Sequence, residues 1–426
     1  MASIPASELA QEVLDACLRD GTWPGRALDD LIERALDEED EFMARAATRA
    51  LFGIVIEKLG DLFEPALCDV YARLFAHVIS KALPDYNAED LLLRYSRVRQ
   101  VRRFPGGEVR KVFVLSRVTL GADVAVTSVV LSAAKQRFPD AEICLVGPEK
   151  NAELFAADER IATVALPYGR SSLLRERLQA ATEVLTTVEE PSSIVIDPDS
   201  RLTQLGLLPI GEDDAHYFFF ESRAFGGELA ISLPRLTAEW CAEVFDVEGL
   251  RPYVAPALQP STAAITVSWG TGENEQKRVD DEFEFRVIKE LLRIERPVLL
   301  DRGASEEEGR RADQLATKLG HPALLTLHDG SYASFASHIV QSRLYVGYDS
   351  AGQHVAAAAR VPLVSAFKGY ACDRTLSRWR PDADNAHVVI AGHKDSAQIL
   401  AETLEAIAAA EGAASASSMD SSQTTE

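Results

Sequence analysis

Apolar residues recur at helical spacing through the first hundred or so positions. Leu9, Val13, Leu14 and Leu18 form one stripe, and Leu28, Leu31, Ile32 and Leu36 form the next. Runs 41–58 and 65–83 repeat the pattern, with breaks at Gly21-Thr22-Trp23-Pro24, Gly60-Asp61 and Pro84-Asp85. Ser7 stands where the first helix would be capped. The stretch 1–105 therefore reads as a helical accessory domain whose polar stripes face solvent or a protein partner.

The pattern changes after Phe104-Pro105-Gly106-Gly107. Short apolar runs at 111–115, 142–147, 163–166 and 193–196 look like buried parallel strands, and 124–138 looks like a helix between them. A proline-bounded linker at 256–260 follows, and the alternation restarts. Strands are expected at 264–269, 297–300, 344–347 and 362–365, with helices at 281–294, 306–319 and 397–410. Strand–helix alternation implies doubly wound α/β sheets. The expected units are 108–255 and 262–411, followed by a small, polar, disordered tail at 412–426. Two such units predict a ligand cleft at the carboxyl ends of the strands.

Composition narrows the function. Of 426 residues, 44 are Lys or Arg and 66 are Asp or Glu, a formal net charge of −22. Such a surface disfavours nucleic acid and allows peripheral membrane contact at most. The five cysteines are scattered without a Cys-x-x-Cys pair, which fits reduced thiols and speaks against a zinc ribbon or redox dithiol. The N-terminus lacks a basic and then apolar leader pattern, and no apolar run reaches a membrane span. The expected location is the cytoplasm, at the furthest peripheral on the inner membrane face.

Three loops carry candidate chemistry. In 115–128, Gly121 allows a tight turn and Asp123 sits near a helix start, where it either caps amides or acts as a general base. In 268–278, Gly270, Thr271 and Gly272 let backbone amides approach a phosphate, and Lys277 adds positive charge. In 346–359, Asp349, Ser350, Gly352 and His354 precede an alanine-rich helix whose first amides suit a phosphate. No Gly-x-Gly-x-x-Gly and no Gly-x-Ser-x-Gly is present, against a dinucleotide oxidoreductase or an α/β-hydrolase. Asp197-Pro198-Asp199 mimics a metal-binding Asp-x-Asp, but acceptor binding or loop capping is the preferred reading, with Arg201 as an acceptor contact. Arg374, Arg378 and Arg380 form a basic patch, either packed or facing an acidic substrate.

The stretch RLYVGYDSAGQHVAAAARVPLVSAFKG resembles the signature of family 9 glycosyltransferases, the ADP-heptose:lipopolysaccharide heptosyltransferase-like proteins. ADVAVTSVVLSAAKQRFPDAEICLV, IVIDPDSRLTQLG and SRWRP resemble other blocks of that family in the expected order, over roughly 110–400. The resemblance implies a GT-B fold, α/β with two Rossmann-like domains, here joined to the additional N-terminal helical domain. It makes 108–255 the acceptor side and 262–411 the donor side. It implies inverting transfer of a sugar from a nucleotide-sugar donor, with no cofactor and no bound metal, to a glycan or lipid-linked acceptor, as in cell-surface glycan synthesis. By carry-over, Asp123 is the base, Lys277 meets the donor phosphate, Ser350 and His354 lie in the phosphate loop, and Glu306 to Glu308 lie near the nucleoside. The family's Gly-Asp is Gly121-Ala122-Asp123 here, and its Asp-Ser-Gly is Asp349-Ser350-Ala351-Gly352. A non-catalytic nucleotide-sugar-binding or scaffold protein and a nucleotide-sugar epimerase are the alternatives on the same fold.

Overall fold

Two parallel sheets form the frame of the computed structural model, which describes residues 4–422 apart from 38, 170, 171, 212 and 273. The first contains β1 (Lys111–Leu115), β2 (Glu142–Gly147), β3 (Ile161–Ala165), β4 (Ser193–Asp197) and β5 (Tyr217–Phe219), in the order β3-β2-β1-β4-β5. The second contains β6 (Ile265–Ser268), β7 (Val298–Asp301), β8 (Leu325–His328), β9 (Leu344–Tyr348), β10 (Leu363–Phe367) and β11 (Ala386–Ile390), in the order β11-β10-β9-β6-β7-β8. Every pairing is parallel; Val112 of β1, for example, sits opposite Ile143 of β2 and Ile194 of β4.

Strand order reverses between β1 and β4 and again between β6 and β9. The connections leave those two pairs toward opposite faces, so a crevice opens at their carboxyl ends. The loops after these four strands hold Asp123, Asp199 and Arg201, Gly270 to Lys277, and Asp349 to His354. The fold thus turns candidates that are scattered along the chain into neighbours.

The central strands are buried on both faces, which explains their unbroken apolar runs. β5, β8 and β11, which the apolar pattern did not reveal, all lie at sheet edges. There β11 is only partly covered, and β8 alternates Leu-Thr-Leu-His.

The N-terminal segment forms α1 (Ala6–Asp20), α2 (Gly25–Ala35), α3 (Glu41–Ala50), α4 (Glu57–Asp61), α5 (Pro65–Ala82) and α6 (Ala88–Val98). A π-helical stretch, Leu51–Ile56, carries α3 into α4. Pro5 precedes the first helix, so Ser7 lies inside it rather than capping it. These helices share one apolar core with the first sheet: Leu74, Phe75 and Ile79 of α5 belong to the same cluster as Phe113, Leu115, Cys144 and Val146. They form the layer over one sheet face. The opposite face, with Val112 and Val114, packs on the helix Leu233–Phe245, and its core runs on into Phe335, Tyr345 and Val355 of the second unit. The last helix, Ser396–Ser422, continues along the tail expected to be disordered, and residues 423–426 of that tail lie outside the described residues.

Candidate functional site

β9 ends at Tyr348, and the chain runs through Asp349 and Ser350 into the helix Ala351–Ala358. Ser350 is extended, and no side chain caps this helix. Its first amides therefore have no side-chain acceptor, the arrangement an anion can complete. The Tyr345 phenol fills the space beneath the loop, so a Cβ on Gly347 or Gly352 would collide with it. Glycine is required there for close approach.

Lys277 reaches this loop from the short helical turn Glu275–Lys277 after β6. Its Nζ donates to the Asp349 carbonyl at 3.0 Å and lies 2.9 Å from Asp349 Oδ2. Asp349 Oδ1 accepts from Gln353 Nε2 at 2.6 Å, and Gln353 Oε1 accepts from Ser365 Oγ at 2.7 Å. A buried chain of bonds thus fixes the lysine. Asp349 is its counter-ion, so the part left to Asp349 is to hold the lysine rather than to touch an anion. His354 is buried, with its ring 5.8 Å from that of Trp379. Burial lowers its pKa to about 4, so it is neutral at pH 7.

Gly270 lines a pocket at the carboxyl ends of β6 and β7, together with Trp269, Asp301, Arg302, Glu308 and Arg311. It is a shallow depression open to solvent, with about 10 Å³ of room at its base. Trp269 is buried, and its Nε1 has no partner among the described residues. Thr271 is buried beside this pocket, with Oγ1 3.5 Å from Glu275 Oε1. Of the acids 306–308, Glu308 reaches the pocket. Its Oε2 accepts from the Ala304 and Ser305 amides and closes a capping box, while Oε1 points toward Gly270.

Asp123 is fully buried and does not face the cleft. Its Oδ1 accepts from the Arg117 amide at 2.7 Å and from Thr127 Oγ1, and its Oδ2 accepts from Ser116 Oγ at 2.6 Å and from Asn151 Nδ2. Burial raises its pKa against those four bonds. A carboxylate so occupied clamps the loop 116–119, with two donors on each oxygen. The loop it clamps is strained: Val118 is β-branched, buried and held at φ +60°.

Asp197 and Asp199 do not form a ligand pair. Asp197 accepts from the Ser200 amide, Thr203 and Tyr217, and burial raises its pKa to about 6. Asp199 sits at φ +70°, is buried, and accepts from Ser222 Oγ at 2.6 Å and Arg223 Nη1 at 2.7 Å. That engagement corrects its expected acceptor contact: it orders Arg223 instead. Arg201 keeps a buried Nη1 without a partner among the described residues. Arg117 is buried, with its pKa lowered to about 10 by burial, and donates to Ser222 Oγ. Arg117, Arg201 and Arg223 therefore gather around Asp199 at this end of the first sheet. Of the three, the sequence pointed only to Arg201; Arg117 stands two residues past the end of β1.

Of the two readings of the basic patch, Arg378 shows packing. Arg378 is fully buried and donates to the carbonyls of Gly227, Leu229 and Ile231, tying the second unit to the first. Arg374 donates to the Phe63 carbonyl at 3.1 Å and pairs with Glu228. Among the described residues, no group of three His, Cys, Asp or Glu side chains is placed to hold a metal, and no helix is long and apolar enough to cross a membrane.

No protein-family model matches this sequence, and no curated protein sequence matches it. Solved structures do. E. coli heptosyltransferase WaaC with ADP superposes at TM-score 0.53 with 16% identity, covering 70% of this chain and 98% of that one. E. coli ADP-heptose lps heptosyltransferase II gives 0.50 with 15% identity, over 71% of this chain and 99% of that one. A family 9 glycosyl transferase from Veillonella parvula gives 0.50 with 14% identity, over 66% and 86%. The two parallel-sheet units have the GT-B type of fold, in the form seen in heptosyltransferases.

Proposed function

We propose that this protein moves a sugar from a nucleotide-sugar donor to an acceptor hydroxyl. One observation carries the reading: Lys277 and the uncapped start of the helix Ala351–Ala358 converge at the switch point of the second sheet. A diphosphate there would meet Lys277, the Ser350 hydroxyl and the first helix amides. The nucleoside would lie along the adjoining depression lined by Trp269, Gly270 and Glu308. Solved neighbours hold ADP and ADP-2-deoxy-2-fluoro heptose, which makes ADP-linked sugars the first donors to try.

The acceptor, a glycan or lipid-linked molecule, would enter from the first sheet beside the half-buried Arg201. Its hydroxyl oxygen attacks the anomeric carbon, and the bond to the diphosphate breaks in one displacement with inversion. Lys277 and the helix amides stabilise the charge on the leaving diphosphate without calling on a metal. Neutral His354 packs behind this loop and shapes it. A place in cell-surface glycan synthesis at the inner membrane face belongs to the same reading.

The test is release of nucleoside diphosphate from ADP-, GDP-, UDP- and CDP-sugars, with and without cell-derived glycan and lipid-linked acceptors. Acceptor-dependent release supports transfer. A second reading, a non-catalytic nucleotide-sugar-binding protein, draws on the burial of Asp123 and on Ala122 before it. It predicts nucleotide binding with no release for any acceptor.

A further inference from the structure

With Asp123 occupied, the cleft needs another group to take the acceptor's proton. We infer that Asp61, at the end of α4 in the N-terminal helical layer, is that base. The inference rests on the sugar-transfer reading.

The segment 60–63 bridges both α/β units. Gly60 packs against Arg223 of the first, where a Cβ would meet Arg223 Nε at 2.6 Å. The next three carbonyls face the second: that of Asp61 accepts from Thr375 Oγ1, that of Leu62 lies 3.8 Å from Cys372 Sγ, and that of Phe63 accepts from Arg374 Nη1 at 3.1 Å. Phe63 is buried at φ +52°, a conformation that disfavours a bulky residue. Its ring meets Trp379 edge-on at 6.1 Å, and Trp379 in turn faces His354 at 5.8 Å. The segment is therefore anchored between Arg223 and the phosphate loop, and Asp61 sits at the middle of the bridge.

The Asp61 side chain is open to solvent and makes no hydrogen bond or ion pair among the described residues. In this it differs from Asp123, Asp197, Asp199 and Asp349, whose carboxylates are all engaged. The charges facing it are Arg223 and Arg201 of the first unit, Lys277 of the second and Glu57 of its own helix. The surrounding protein raises its pKa, and the three cations oppose that rise. A carboxylate within electrostatic reach of both Arg201, on the acceptor side, and Lys277, on the donor side, is placed to meet an acceptor hydroxyl beside the donor. The proton passes from that hydroxyl to Asp61, the oxygen bonds to the anomeric carbon, and the electron pair of the breaking bond leaves with the diphosphate.

The test uses the full chain as wild type, Asp61→Asn and Asp61→Glu, with ADP for binding and the nucleotide sugar that turns over for rate. Asp61→Asn is expected to bind ADP as tightly as wild type or more so, because a carboxylate facing Lys277 repels a diphosphate. Its turnover should fall about 100-fold or more, and the acid limb of the kcat/KM profile should vanish. Asp61→Glu should keep part of the rate and retain that limb. An Asp61→Asn protein with wild-type turnover, or one whose whole loss is weaker ADP binding, overturns the assignment and leaves sugar transfer standing. A wild-type protein that binds nucleotide but turns over no donor overturns the transfer reading itself, and the assignment with it.

Discussion

Gly121 and His354 meet across the crevice between the two α/β units. A Cβ on Gly121 would lie 3.2 Å from His354 Cδ2 and 3.3 Å from the Ala351 Cα. The loop after β1 therefore rests directly on the start of the proposed phosphate-binding helix. This contact explains why the first turn after β1 carries a glycine although its backbone is not left-handed.

Gly121→Ala should push the two units apart, because the Ala351 backbone cannot yield as a flexible side chain does. The expected loss is about 1–3 kcal/mol of stability, read as a lower denaturant midpoint at unchanged m-value. ADP affinity should fall in parallel. A variant as stable as wild type would show that the units do not hold this contact in solution.

Asp123→Ala should act on stability before it acts on chemistry. It leaves the Ser116 and Thr127 hydroxyls, the Asn151 amide and the Arg117 N–H without their acceptor. Unpaired buried groups cost about 1–3 kcal/mol each, so a large drop in melting temperature is expected, with Asp123→Asn less affected. A protein with wild-type melting and lost turnover would restore Asp123 as the base.

What the sequence shows and what it hides follows from how each residue meets its surroundings. β1, β9 and β10 were readable because both faces of each are buried, so Val-Phe-Val-Leu stands out. Edge strands such as β11 lack that signature. The helical stripes of 1–98 showed that those helices bury a face, but a stripe does not say against what; the answer, the first sheet, lies outside the segment. The grouping of Lys277, Ser350, Gly352 and His354 was readable because glycines and small residues follow strands where the switch points fall. The orientation of Asp123 was not. It is set by partners spread along the chain, from Ser116 to Asn151, which is 28 positions away. Asp61 left only the Gly60-Asp61 break as a trace, since its neighbour Thr375 is 314 positions away.

Stability should depend on the protonation of His354. Burial holds its pKa at about 4 in the folded protein, against 6.5 for an ordinary histidine. Between those values the unfolded chain binds a proton that the folded one does not. The contribution is therefore intact above pH 6.5 and is lost as pH falls toward 4, on the order of 3 kcal/mol over the window. Asp197 acts with the opposite sign: its pKa is raised to about 6, so its ionisation costs stability as pH rises from 3.8 through 6. The difference between wild type and His354→Gln isolates the histidine. That difference should slope between pH 6.5 and 4, and a flat difference would show that the ring is accessible to protons in the folded state.

The central claim is that a nucleoside diphosphate binds where Lys277 meets the loop 349–354. Thermal melting of wild type and Lys277→Ala with ADP, GDP, UDP, CDP and their sugar conjugates tests it most directly. A ligand at 100 times its dissociation constant stabilises the fold by about 2.7 kcal/mol. The account predicts a rise in melting temperature selective for one nucleotide in the wild type, with affinity reduced about tenfold or more in Lys277→Ala. No rise with any nucleotide, or an equal rise in Lys277→Ala, would contradict it.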